Sequence, residues 1–317
     1  MIAMKNKNTL YPSFFLFALL SFSSALLAQN TFVDIVSNKG IITVELADDD
    51  APSTVANFLT YVEEGFYENT LFHRVIQDFM VQGGGYDADT MEIKATRQAI
   101  ALESNTGLSN LRGTIAMARR TDPDSATTQF FINSVDNLFL DYQAPSSPGY
   151  AVFGQVIEGM NIIDNISEQA TNNALLNSSP TKNVPVEPVI IEVIRLRQGK
   201  LSFAKLAQVY TAGETVSVQL EESLIERPLP LDLWVTIISP ENKLIFVTDT
   251  AFTDVPTAFQ LNVPIKVSNH PIFTFTIPEG LTGSYTLLAT FNQAGADLSD
   301  LKHSLRSNIA QTVIEIK

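Results

Sequence analysis

Apolar positions recur along this chain with two periods, and each period predicts a different element. After Ala51-Pro52-Ser53-Thr54, residues Val55, Phe58, Leu59 and Val62 fall at i, i+3, i+4 and i+7, the spacing of one helical face. Pro52 suits the first helical turn and Gly65 the position just past the end. A second helix is predicted around Met160 to Ile166. Period-two runs predict strands at Phe32 to Val36 and Ile41 to Leu46, a hairpin through Asn38-Lys39-Gly40. Further strands are predicted at Leu71 to Ile76, Phe79 to Gln82, Gly113 to Ala118, Gln129 to Ser134, Ala151 to Val156 and Val189 to Leu196. Together they are enough to close a small barrel with a side-chain-filled interior, its open ends covered by the two helices.

The pattern changes around Gln198-Gly199-Lys200. Beyond it lie Val216/Val218/Leu220, Leu231/Leu233/Val235/Ile237, Phe273/Phe275/Ile277, Tyr285/Leu287/Ala289/Phe291 and Ala310/Thr312/Ile314/Ile316, all at period two. Turns such as Ser239-Pro240 and Pro278-Glu279-Gly280 separate them. Short strands with regular turns and no convincing helix predict an antiparallel β-sandwich, loosely similar to immunoglobulin-like modules. The 317 residues therefore divide into a leader over 1–28, a barrel over 31–197 and a sandwich over 200–317, with a short linker allowing limited independent motion.

Composition sharpens this division. A net charge of −14 excludes the clustered basic footprint of a nucleic-acid binder. Lys5 and Lys7 precede an apolar run from Ser13 to Leu27, and Ala28 supplies a small residue before a cut at Gln29, the layout of a secretory signal. The absence of cysteine removes disulfides, thiolate metal sites and any lipid-bearing cysteine at the cut. Periplasmic or secreted localisation follows as an expectation, with no stable membrane insertion once the leader is removed.

The candidate chemistry lies in Phe72-His73-Arg74-Val75-Ile76-Gln77-Asp78-Phe79-Met80-Val81-Gln82-Gly83-Gly84-Gly85. This run holds a guanidinium, large apolar groups and a neutral amide, and nothing resembling a nucleophile. If two strands meet at Gln77-Asp78, Met80 and Gln82 share a face. The glycines after Gln82 permit a tight turn or a close approach. Such a surface can hold an apolar ring while a guanidinium and an amide address its peptide bond.

This run resembles the signature of the cyclophilins, peptidyl-prolyl cis-trans isomerases. The family's later motifs follow in order: Gly113-Thr114-Ile115-Ala116-Met117-Ala118, Ser125 to Ile132, Phe139-Leu140-Asp141 and Tyr150-Ala151-Val152-Phe153-Gly154. The likeness covers roughly Thr31 to Arg197. It implies an eight-stranded closed barrel with two capping helices and an active face outside the packed interior. It also implies catalysis by Arg74, Phe79 and Gln129, and substrate contacts from His73, Met80, Gln82, Ala118, Arg119, Phe131, Phe139, Leu140 and Tyr150. The implied partners are proline-containing unfolded or flexible polypeptides. Amide rotation breaks no bond, so no cofactor or metal is required.

Three positions depart from common members of the family. Arg119 stands where many relatives carry Asn, Phe139 where the cyclosporin-sensitive eukaryotic members carry Trp, and Tyr150 where those members carry His. Loss of the indole N–H implies weak cyclosporin binding, and the last two substitutions resemble the bacterial periplasmic branch. A non-catalytic module binding proline segments, or a surface interaction protein using the sandwich alone, would explain part of the chain; the guanidinium beside the pocket favours the enzyme. Asp48-Asp49-Asp50 and Asp122/Asp124 lack the remainder of a calcium loop, and Gly83-Gly84-Gly85 lacks that of a phosphate loop. Asn177-Ser178-Ser179 has the form of a glycosylation triplet.

Overall fold

A computed structural model of the chain describes residues 31–223, 230–263, 269–296 and 298–317. The predicted leader, 1–28, lies outside the described residues. The chain opens with the hairpin β1 (Phe32–Ser37) and β2 (Gly40–Leu46), followed by helix α1 (Pro52–Glu63) with proline in its first turn. Thr54, Val55, Phe58, Tyr61 and Val62 form its buried face. The ring of Phe58 lies 5.2 Å from Phe153, 5.3 Å from Tyr67 and 5.8 Å from Phe130 between centroids, which anchors the helix to the barrel interior.

Next come β3 (Thr70–Leu71), β4 (Arg74–Ile76), β5 (Met80–Gly83), β6 (Thr114–Met117), β7 (Phe130–Asn133), β8 (Val152–Glu158) and α2 (Met160–Ser167). A hairpin of β9 (Thr171–Leu176) and β10 (Ser179–Pro185) then leads into β11 (Ile190–Arg197). The sheet order is β3-β11-β1-β2-β8-β6-β7-β5-β4. The run predicted as one strand, Leu71 to Ile76, is broken at Phe72-His73, because its two halves pair at opposite ends of this order. Thr70–Leu71 joins β11 and Arg74–Ile76 joins β5. One bent segment thereby closes the barrel. The corner is tight: a Cβ on Gly83 would meet Phe72 Cδ1 at 2.7 Å and the Leu71 carbonyl oxygen at 2.9 Å. Glycine is required there for approach to the protein's own backbone, where the sequence had also allowed a ligand.

The second half begins with β12 (Lys200–Phe203), β13 (Val209–Tyr210), β14 (Thr215–Ser223), β15 (Leu231–Ile238), β16 (Leu244–Val247) and β17 (Phe252–Thr253). It continues with β18 (Gln260–Val263), β19 (Asn269–Thr276), β20 (Gly283–Gln293), the single turn α3 (Leu301–Ser304) and β21 (Ala310–Ile316). A three-stranded sheet, β12-β14-β19, packs on a seven-stranded one, β13-β21-β20-β15-β16-β17 with β18 beside β15. Leu220, Leu233, Val235, Leu287 and Phe291 lie in their shared core. The expected antiparallel sandwich needs one correction: β13 pairs in parallel with β21. No helix among the described residues is long and apolar enough to cross a membrane.

The junction differs from the expected short linker. Arg197 and Gln198 are buried. The Gln198 amide donates to the Arg306 carbonyl at 2.6 Å, and Lys200 reaches Glu158 at 2.6 Å. From the sandwich, α3 returns to the barrel, where Arg195 Nη1 donates to the Lys302 carbonyl at 2.5 Å and His303 meets Glu68 at 3.1 Å. Contacts on both sides of 198–200 hold the two halves together.

Candidate active site

Strand register builds a surface on the outside of the barrel. Val81, Ile115, Ile132 and Phe153 point into the core, so their neighbours point outward. Cross-strand pairing sets Arg74 opposite Gln82, Gln82 opposite Phe131, Phe131 opposite Ala116 and Ala116 opposite Val152. A charge, an amide, an aromatic ring, a small residue and a branched aliphatic one thus stand in one row across β4, β5, β7, β6 and β8. Met80, Ala116, Phe131 and Val152 form a buried apolar cluster under this face, with Phe79, Ala118, Leu140 and Tyr150 packed against it.

Above the cluster lies a cleft of about 140 Å³ lined by Arg74, Phe79, Met80, Gln82, Ala118, Arg119, Phe131, Leu140 and Tyr150. Arg74 Nη1 donates to Gln82 Oε1 at 3.3 Å, and Gln82 Nε2 donates to Gln129 Oε1 at 3.0 Å. This relay holds both amides with their oxygens toward the preceding donor. Arg74 is half-buried and has no carboxylate within ion-pair distance among the described residues. Burial draws its pKa below the ordinary arginine value, with the Tyr150 hydroxyl acting the other way. A guanidinium nevertheless keeps its charge in proteins. Its remaining N–H groups are available to an acceptor in the cleft.

Arg119, the second cation of the lining, is committed elsewhere. Its Nε and Nη2 donate to the Gly149 carbonyl at 3.0 and 2.9 Å, and Nη1 donates to the Arg120 carbonyl at 2.9 Å. The guanidinium carbon lies 4.5 Å from the Tyr150 ring centroid, so Arg119 braces that ring. Tyr150 in turn meets Phe131 edge-on at 5.6 Å.

Three predicted residues sit outside the cleft lining. Gln129 stands behind Gln82 as its acceptor, packed so closely against Gly85 that a Cβ there would lie 2.5 Å from its Nε2. Phe139 projects from the short 3-10 turn Leu138–Leu140, 65% exposed, and stacks on Phe79 at 5.7 Å. It forms a rim to the cleft. His73 is displaced furthest: it is buried at the corner between β3 and β4, its ring 4.6 Å from Tyr86. Burial lowers its pKa to about 4, with the nearby Arg74 charge adding to that and the Leu71 carbonyl and Gln129 amide opposing it. The corner turns His73 inward and Arg74 outward, which spacing along an uninterrupted strand does not reveal. Ala116 and Val152 join the predicted residues under the cleft, and the period-two run through Gly113–Ala118 places Ala116 on the same face as Ala118. Among the described residues no three His, Asp or Glu side chains come together in a metal-binding cluster.

This geometry pairs an apolar recess with a guanidinium that has no carboxylate partner among the described residues and with a neutral amide, a combination suited to binding a ring and donating to an amide without bond cleavage. Comparison with known proteins agrees with that chemistry. Residues 32–193 match the family described as cyclophilin type peptidyl-prolyl cis-trans isomerase/CLD. The chain is 47% identical over 180 residues to peptidyl-prolyl cis-trans isomerase A of Dickeya dadantii (strain 3937), covering 56% of this chain and 92% of that one. It is 49% identical over 164 residues to peptidyl-prolyl cis-trans isomerase B of Escherichia coli (strain K12), covering 51% and 97%. A cyclophilin type peptidyl-prolyl cis-trans isomerase of Cryptosporidium parvum, known from its crystal structure, aligns with a TM-score of 0.43 at 24% identity, over 53% of this chain and 98% of that one.

Proposed function

Since the chain belongs to the cyclophilin-type peptidyl-prolyl cis-trans isomerases and acts on proline-containing polypeptides, we propose that the Arg74 cleft is its active site and that its clients are exported, flexible chains. The observation that carries the reading is the register row, which sets Arg74, bonded among the described residues only through Nη1 to Gln82 and Met80, beside an apolar recess. Phe79, Met80, Phe131 and Leu140 receive the pyrrolidine ring, and Gln82, held by Gln129, positions the neighbouring backbone.

Rotation about an X–Pro bond forfeits amide resonance, a barrier of about 18–20 kcal/mol. In the twisted state the nitrogen lone pair leaves conjugation and becomes a hydrogen-bond acceptor. A donor that reaches it only then lowers the barrier without tightening either planar state. Arg74 supplies that donor from beside the apolar recess that receives the ring.

Export is the second part of the proposal, supported by the charge and apolar pattern of residues 5–28. N-terminal sequencing of the protein recovered outside the cytoplasm is expected to begin at Gln29. Recovery only in the cytoplasm, with the 1–28 segment still attached, would remove this part and leave the isomerase reading untouched.

Phe139 carries the expectation of weak cyclosporin binding. Its ring is exposed and stacked on Phe79 but offers no N–H. Phe139→Trp is expected to tighten cyclosporin severalfold, since one hydrogen bond contributes about 0.5–1.5 kcal/mol net, while peptide turnover changes less. Superimposable titrations of the two proteins would reject the role given to the missing donor.

A further inference from the structure

Three strands cannot cover seven, and the sandwich shows the consequence. The strand β19 ends the smaller sheet: its backbone pairs with β14 alone, and among the described residues its other edge has no backbone hydrogen bond. Beside that edge an apolar cleft of about 190 Å³ lies between the sheets. Phe273 and Phe275 of β19 form one wall, with Ile237, Ile245 and Phe252 of the larger sheet across from them. The Phe252 ring is 5.3 Å from that of Phe273 and 6.1 Å from that of Phe275, yet Phe252 remains 47% exposed.

Edge strands are ordinarily blunted, and half of β19 is. Pro271 lacks an N–H, and the register with β14 slips by one residue between Phe273 and Pro271. From Phe273 to Thr276 the pairing is regular and no such guard is present. The Thr274 and Thr276 hydroxyls meet Ser217 and Thr215 on the opposite face, which leaves the phenylalanines to the cleft. Within two residues of the lining along the chain, or in the turns that join its strands, stand Glu214, Glu241, Asp249, Asp254, Glu279 and Glu315, against Lys243 and Lys317.

We propose that the free edge of β19 and the adjoining cleft capture an extended polypeptide segment by strand addition, with its alternate apolar side chains entering the cleft and basic ones facing the acidic rim. Both halves of the site select the same occupant. An open backbone edge demands a strand, and a cleft beside it accepts every second side chain of that strand. The acidic rim sets the charge of the remaining positions. The cleft draws on the start of β14 and the end of β21, whereas the barrel joins at the end of β14 through Lys200. The site is therefore remote from the Arg74 cleft and supplies a second contact to a long client. This rests on the reading that clients are flexible polypeptides, so its test uses a peptide without proline.

The probe is a fluorescein-labelled nonapeptide alternating Val and Lys, titrated by anisotropy into the full chain. Binding is expected with a Kd of roughly 1–100 μM, weakened at least about tenfold when alternate peptide nitrogens are methylated, because side chains persist while edge pairing is lost. A Val/Glu peptide should bind more weakly. Phe252→Glu should weaken the Val/Lys peptide about tenfold while leaving turnover of a short prolyl peptide unchanged. Should that variant misfold, slowed amide exchange at Phe273–Thr276 of the unmodified protein on peptide addition provides the same test. No binding at millimolar peptide, or equal binding of the N-methylated peptide, overturns the proposal. A dimer pairing through β19 that shuts the peptide out also overturns it, by assigning the edge to a second copy.

Discussion

Arg74→Ala is expected to lower kcat/KM on a prolyl peptide by roughly two to three powers of ten, about 3–4 kcal/mol of transition-state stabilisation. The magnitude follows from what remains in the cleft. Arg119 is the other cation in its lining, but its donors are occupied by the Gly149 and Arg120 carbonyls and its plane rests on Tyr150. It cannot replace Arg74 without abandoning those contacts. Gln82 retains an amide N–H, but that group donates to Gln129. Arg74→Lys should recover little, because a point charge does not reproduce the planar fork. Turnover should also stay flat between about pH 5 and 8, since the guanidinium does not titrate there and burial keeps His73 neutral down to about 4. Near-wild-type turnover by a folded Arg74→Ala protein would dismiss the role. A rate that titrates near the ordinary histidine value would transfer it to another group.

Much of the cleft is legible in the sequence because a strand's period is two. Once Met80 and Gln82 are assigned one face, the buried Val81 between them follows. Pairing then carries Arg74 and Phe131 alongside. The failures arise where period two is interrupted or uninformative. His73 turns inward at a corner that exists only because one segment pairs with both ends of the sheet. The hairpin of β9 and β10 leaves no period-two signal, since Thr171–Leu176 is mostly exposed and lacks an apolar alternation. Its turn residues Asn177 and Ser178 both take positive φ, 51° and 56°, as a tight hairpin turn requires; their sequence suggested a glycosylation triplet instead. The parallel pairing of β13 with β21 joins residues about a hundred apart, and no local pattern encodes direction. The junction differs for a related reason: Gln198-Gly199-Lys200 has the composition of a linker, but the groups that hold it lie at Glu158 and Arg306.

The same junction is the setting for the largest expected stability loss. Asp34 lies on β1 opposite Arg195 of β11 and opposite Thr43 of β2. Its carboxylate lies 2.9 Å from Arg197 Nε and 3.8 Å from Arg195 Nε, and accepts from the Thr43 hydroxyl at 2.9 Å. All three charged side chains are buried. Burial pushes the Asp34 carboxyl above its ordinary value, while Arg197, Thr43 and Arg195 pull it down. The cluster therefore contributes little net attraction beyond its desolvation, yet removing one member is costly. Asp34→Ala would leave two neighbouring guanidinium groups buried, with Glu158 still paired to Arg197 and only a carbonyl contact for Arg195. A loss of about 3–5 kcal/mol is expected, a fall of roughly 2 M in the urea midpoint of isomerase activity. Trp234, the one tryptophan, lies in β15 of the sandwich. Its fluorescence transition should shift less than the activity, because the sandwich has its own core. Replacing the cluster with apolar groups in Asp34→Leu, Arg195→Met and Arg197→Met together should recover much of the loss, since well-packed apolar residues can replace a buried ion pair without penalty. An unchanged midpoint for Asp34→Ala would mean that water reaches these guanidinium groups and that the cluster does not hold the junction. A single variant as stable as the triple would lead to the same conclusion.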